Sequence, residues 1–194
     1  MDNVNIPQPV IDILELLHTK SSKAYLVGGC VRDMFMHLEP HDYDICSDLT
    51  PDIAMKVLST KYPVIPKGIE YGTVVALVDG TEYEVTTFRG ETDYSDGRHP
   101  DSVKFVSNIE YDLARRDFTI NAMAYDVSED KLIDPFGGLM DLENGILRAV
   151  GNANERFQED GLRIMRALRF AIKYNLTIEP ETKEAIIRNR NMLQ

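Results

Sequence analysis

The chain has 194 residues, 43% of them hydrophobic and 27% charged, which is enough for one good core or two small ones. Its formal net charge of −11 argues against a protein that coats nucleic acid through a broad basic surface, although arginines gather locally at Arg115 and Arg116 and again from Arg156 to Arg169. No window approaches a membrane span, the amino terminus "MDNVNIPQPV" lacks a basic targeting head, and Cys30 and Cys46 form neither a disulfide framework nor a zinc spacing, so a cytoplasmic chain with two inert thiols is expected.

"IPQPVIDILELLHTK" carries apolar residues at helical spacing, with Pro7 and Pro9 limiting its start. "KAYLVGG" reads as a short strand ending at glycines, and "VRDMFMHL" as a helix beginning just after them. "HDYDICSD" alternates like a strand, while "TPDIAMKVLSTKY" opens with a capping threonine and a proline at the first helical position. "TVVALVDG" and "TEYEVTTFRG" form a hairpin about Asp79 and Gly80. The polar, aperiodic "GETDYSDGRHPDS" reads as a mobile loop, "VKFV" as a strand, and "NIEYDLARRDFTINAMAYD" as helical with a break near the arginines. "KLIDPFGGLMDLENGILRAV" supplies a strand, a double-glycine turn and a short helix. From Asn154 the pattern is almost wholly helical, which divides a mixed α/β part over 1–138 from a helical part over 139–194. The last helix stops at "NMLQ" without a cap, and Ile186, Ile187, Met192 and Leu193 lack an evident partner, so a truncated chain is expected.

The chemistry lies in a few short stretches. Asp42 and Asp44 are two apart on an expected strand, so both side chains leave one face and suit a pair of divalent cations; Glu84 is the expected third carboxylate, with Glu82 in the same alternation. His37, His41 and Cys46 match no zinc pattern. Gly28 and Gly29 let the backbone approach a ligand, the following helix offers free N–H groups to an anion, and Arg32 is placed to fork onto a phosphate. This is neither a Walker A loop nor a dinucleotide fingerprint.

Taken in order, "LVGGCVRD", "HDYDI", "EVTTFR", "DGRHPDSVKF", "DLARRDFTINAMAYD", "DPFGG" and "RFQEDGLRIMRALRFA" resemble the bacterial tRNA nucleotidyltransferase and poly(A) polymerase family, from about Tyr25 to Phe170. The resemblance implies an α+β, polymerase-β-like nucleotidyltransferase head, a small mixed sheet flanked by helices, followed by an all-helical neck. It implies triphosphate contacts at Gly29 and Arg32, metal ligation at Asp42 and Asp44, and a nucleotide contact at Arg116, with Asn121 serving packing or a sugar contact. A flexible loop in the place of residues 90–101 switches specificity in the family.

Asp160, Arg163, Arg166 and Arg169 recur every third residue and trace a ridge along an expected helix, with Leu162, Met165, Leu168 and Ile172 as its packing surface. Arginine without lysine suits planar, bidentate recognition. An acceptor-only aspartate beside a donor-only arginine complements the base edges of adenine and cytosine, which pair an amino donor with a ring acceptor, and rejects uracil and guanine. The resemblance assigns this template role to the matching residues. It implies transfer of CMP and AMP from CTP and ATP to the 3′ end of tRNA, assisted by two Mg2+ ions. A poly(A) polymerase, a CC-only or A-only relative, and a non-enzymatic nucleotide-binding regulatory module are the alternatives.

Overall fold

The computed structural model describes residues 5–90, 95–96 and 102–193. The chain runs α1 (Gln8–His18), β1 (Ala24–Val27), α2 (Gly29–Phe35), β2 (Ile45–Ser47), α3 (Pro51–Ser59), β3 (Val64–Ile65), β4 (Thr73–Val78) and β5 (Thr81–Thr87). It continues through α4 (Ile109–Ala114), a 3-10 turn at Thr119–Asn121, β6 (Ala124–Asp126), β7 (Lys131–Ile133), α5 (Gly138–Glu143), β8 (Ile146–Leu147), α6 (Ala153–Glu159), α7 (Leu162–Lys173), β9 (Thr177–Ile178) and α8 (Pro180–Arg188).

Seven strands form one sheet in the order β3-β4-β5-β2-β1-β6-β7. Every pairing is antiparallel except β2 with β5, where Ile45 stands opposite Val85. Strand alternation sorts the side chains. Leu26, Ile45 and Val85 turn to one face, under α1, α2 and α3, while Val27, Cys46 and Ala124 turn to the other, against Ile109 and Leu113 of α4. Each fully buried side chain of this kind contributes about 1.5–3 kcal/mol relative to exposure. Cys30 and Cys46 are buried free thiols in these two layers, and burial pushes the Cys30 thiol up to about 11.

The expected hairpin closes at Asp79 and Gly80, both with positive φ as a type I′ turn requires. Pro51 opens α3, but the Thr50 side chain makes no capping hydrogen bond. The stretch "VKFV" contributes only a bridge between Arg89 and Phe105 instead of a strand, and most of the preceding polar loop lies outside the described residues. The helical part shares a core with the first part, Leu147, Phe157, Ile164, Ala167 and Ala185 packing with Phe118 and Ile120, and Ile186 joins them. It includes a small parallel sheet of β8 and β9, so the neck is not helical throughout. No helix among the described residues is long and apolar enough to cross a membrane.

Candidate active site

β1 ends at Val27, whose N–H donates to the Asp44 carbonyl, and the next N–H, that of Gly28, donates to the carbonyl of Met123. Gly28 takes φ 78°, and a Cβ there would stand 3.1 Å from Arg116 Nη1, so both conformation and space select glycine. Arg32, on α2, is only 7% exposed. Its Nη1 donates to Asn121 Oδ1 at 2.7 Å and its Nε to Asp33 Oδ1 at 2.9 Å. The same guanidinium stacks 4.6 Å from the Tyr174 ring centre and 5.3 Å from that of Phe170. Asn121 is thus a structural hub, since its Nδ2 also donates to Asp117 Oδ1 at 3.3 Å.

Asp42 and Asp44 do not lie on a strand. β2 starts at Ile45, and the two aspartates sit in the segment leading into it, both reached by water although the Asp44 carboxyl is partly sunk against the protein. The parallel β2–β5 register sets Val85 beside Ile45 and so brings the adjacent Glu84 beside Asp44. The Asp44 carboxyl is raised above its ordinary value by burial, then by the charges of Glu84 and Asp42, against a lowering pull from Arg116. Among the described residues no group of three or more His, Cys, Asp or Glu forms a ready-made metal cage. The donor set still fits a hard cation such as Mg2+, which takes one or two carboxylates and completes its shell with water and substrate phosphates.

Arg116 leans back on α4, its Nε and Nη2 donating to Asp112 Oδ1 at 3.2 and 3.0 Å. Burial alone would raise the Asp112 carboxyl, but Arg116, Arg115 and the Arg89 N–H outweigh it and hold the group below its ordinary value. Asp112 escaped the sequence reading, although its i, i+4 spacing to Arg116 is the signal for such a pair.

In the neck the expected continuous ridge is broken. α6 ends at Glu159, Asp160 caps it in an extended conformation while accepting from the Leu162 N–H, and α7 begins only at Leu162. The faces also differ from that expectation, because Arg166 and Arg169 stay exposed but Arg163 is buried and the apolar residues expected to pack are not. Leu162, Met165, Leu168 and Ile172 are exposed, Ile172 by 83%, whereas Arg163 is 9% exposed beside buried Ile164 and Ala167. The reason is the neighbour, because the inner side of α7 faces the arginine-bearing turn of the head. Arg163 bonds Glu159 Oε2 at 2.6 Å and the Arg156 carbonyl at 3.0 Å. Arg166 donates through Nε to Asp117 Oδ2 at 2.8 Å and stands 5.3 Å from the Phe170 ring.

These parts converge on one cleft of about 350 Å³ lined by Gly28, Gly29, Arg32, Asp44, Arg115, Arg116, Asp117, Asn121, Asp160, Arg163, Arg166 and Phe170. Asp42 and Glu84 stay outside its lining but within electrostatic reach of Asp44, and exposed Arg169 is not brought to it. A larger hollow of about 550 Å³ beside α3 is lined by Asp52, Met55, Lys56, Ser59 and Thr60 and lacks convergent arginines.

A mixed sheet presenting carboxylates at the mouth of an arginine-lined cleft, closed from the far side by helices, defines a polymerase-β-like nucleotidyltransferase head. Residues 24–148 match the poly(A) polymerase head domain family, and the chain belongs to it. It is 47% identical over 193 residues to the CCA-adding enzyme of Ligilactobacillus salivarius (strain UCC118), covering 98% of this chain and 47% of that protein. It superposes with a TM-score of 0.85 and 38% identity on the Bacillus stearothermophilus CCA-adding enzyme in complex with CTP, over 97% of this chain and 45% of that one. A tRNA nucleotidyltransferase complexed with a primer tRNA and an incoming ATP analog matches with a TM-score of 0.73 and 31% identity, over 93% and 50%. The chain therefore spans about half the length of the curated relatives it matches.

Proposed function

We propose that the chain is the catalytic and nucleotide-selecting part of a template-independent RNA nucleotidyltransferase that adds CMP and AMP, from CTP and ATP, to the 3′ end of tRNA. The observation that carries this reading is the meeting, in one cleft, of arginines suited to a triphosphate, the Asp44 carboxylate, with Asp42 and Glu84 within electrostatic reach of it, and an aspartate with an arginine suited to a base edge. The names of the relatives and the CTP and tRNA complexes of the solved structures support it.

Asp42 and Asp44 would hold Mg2+, with Glu84 as the nearby third carboxylate. When bound, such ions neutralise charge on the triphosphate and acidify the attacking 3′-hydroxyl. Arg32 and Arg116 hold the triphosphate so that the α-phosphorus faces the hydroxyl, and Gly29 allows its close approach. The 3′ oxygen bonds to the α-phosphorus and pyrophosphate leaves, with no covalent bond to the protein. Positioning and electrostatics thus supply the rate enhancement. Asp160 accepts from the exocyclic amine of cytosine or adenine, and Arg163 donates to the ring acceptor beside it. Arg166 and Arg169 complete the cationic side of the neck.

Equilibrium binding of CTP, ATP, UTP and GTP with magnesium, to the wild type and to Asp160→Ala, tests the reading. Preference for CTP and ATP that disappears in the variant is expected; preference for ATP alone would instead indicate a poly(A) or A-adding enzyme, and equal binding of all four would overturn the template. Asp42→Ala is expected to leave the fold intact and abolish transfer to an RNA 3′ end, and retained transfer would refute the metal assignment.

A further inference from the structure

Arg32 belongs to the head and Phe170 and Tyr174 to the neck, yet they meet face to face, and two separate routes lead from the arginine to α7. The polar route runs from Arg32 Nη1 to Asn121, from Asn121 Nδ2 to Asp117, and from Asp117 Oδ2 to Arg166. The aromatic route runs through Phe170, which carries the guanidiniums of both Arg32 and Arg166 at 5.3 Å from its centre. The two routes close a ring. Phe170 is fixed in that ring from both sides, edge-on to fully buried Phe118 at 5.9 Å and stacked with Tyr174 at 6.1 Å.

A guanidinium can stack on an aromatic face while its edge keeps its hydrogen bonds, so the rings constrain the plane of Arg32 without consuming its donors. Phe170 also lines the cleft beside Asp160 and Arg163, which places the stack between the arginine assigned to phosphate and the residues assigned to the base.

We infer that Phe170 and Tyr174 are positioning residues that couple base selection to triphosphate holding: the seat of α7 and the aim of Arg32 are set together. A correct base edge that settles α7 also orients Arg32, and a wrong one that displaces α7 loosens it. The inference rests on the proposed function for what Arg32 and α7 hold, whereas the linkage itself concerns the protein alone.

The test compares wild type with Phe170→Leu, Phe170→Tyr and Tyr174→Leu by calorimetric binding of inorganic triphosphate, CTP and UTP, each with magnesium. Phe170→Leu is expected to weaken inorganic triphosphate and CTP about tenfold, the scale of a desolvated cation–π contact, and to narrow the ratio of CTP to UTP affinity. Phe170→Tyr keeps a ring and restores both. Tyr174→Leu, at the half-buried end of the stack, moves both in the same direction with less risk to the fold. A variant series in which triphosphate affinity falls while the CTP to UTP ratio is untouched, or the reverse, overturns the coupling.

Failure of the wild type to prefer CTP over UTP would sink the proposed function instead, so the linkage has its own ligand-free readout. The side-chain Nε–Hε resonances of Arg32 and Arg166, followed by NMR, are expected to exchange faster together in Phe170→Leu, and that of Arg166 to shift in Arg32→Lys. An Arg166 resonance indifferent to both substitutions refutes the coupling whatever the ligand.

Discussion

The Asp44 carboxyl lies above its ordinary value because burial, Glu84 and Asp42 together outweigh Arg116. An acid raised on folding costs stability once ionised: the cost is absent below the unfolded value of about 3.9, grows as pH rises to the folded value, and is constant above it. Asp44→Asn is therefore expected to melt above wild type at pH 7 without divalent cations. The gain should be small, since the group keeps part of its contact with water, and should vanish as pH falls toward 4. Magnesium should close the gap by raising the wild type alone; thermal melts across pH with and without the ion check both signs. At this scale the sequence was informative about residue type and poor about partners. Asp42, Asp44, Gly28 and Arg32 stand out in the chain, but nothing local announces that Arg32 is sheltered by Asn121, 89 positions away, or that two neck aromatics cover it.

Elements place those residues, and the most constrained contact among them is the one between α5 and the 3-10 turn. A Cβ on Gly138 would stand 2.2 Å from the Thr119 carbonyl oxygen, with no room for either backbone to yield cheaply. Gly138→Ala is expected to cost about 1–3 kcal/mol, or several degrees in Tm, and to weaken nucleotide binding as well, because the displaced turn carries Asn121. Calorimetry and a melt on the same sample measure the two effects; lost stability with unchanged binding would uncouple the turn from the cleft. The hairpin at Asp79 and Gly80 and the start of α1 at the prolines were legible because turn chemistry and proline geometry are local. The orientation of α7 was not. Its apolar and arginine stripes are both regular, and periodicity cannot say which one meets a neighbour when that neighbour is a polar turn from another part of the chain. The short β2 misled for a related reason: alternation in "HDYDI" continues past the point where the sheet ends.

Across the whole molecule an acidic chain of net charge −11 carries a local concentration of arginine at one cleft. Field lines from such a patch focus on a polyanionic ligand, while the acidic remainder discourages nonspecific adhesion to RNA. Raising sodium chloride from about 0.05 to 0.5 M is expected to weaken magnesium–CTP binding about tenfold or more, through screening of several partly exposed pairs, and to affect cytidine little. A salt titration of both ligands checks it. The order of seven short motifs made the family readable, and the match of residues 24–148 to the poly(A) polymerase head domain family bears that out. The cleft has one further property. Arg32 already rests on Asp33, Arg116 on Asp112, Arg163 on Glu159 and Arg166 on Asp117. On the proposed function, an incoming nucleotide would trade places with carboxylates that the protein keeps close at hand, and those same carboxylates would reclaim the arginines when a product departs, so that release would be built into capture.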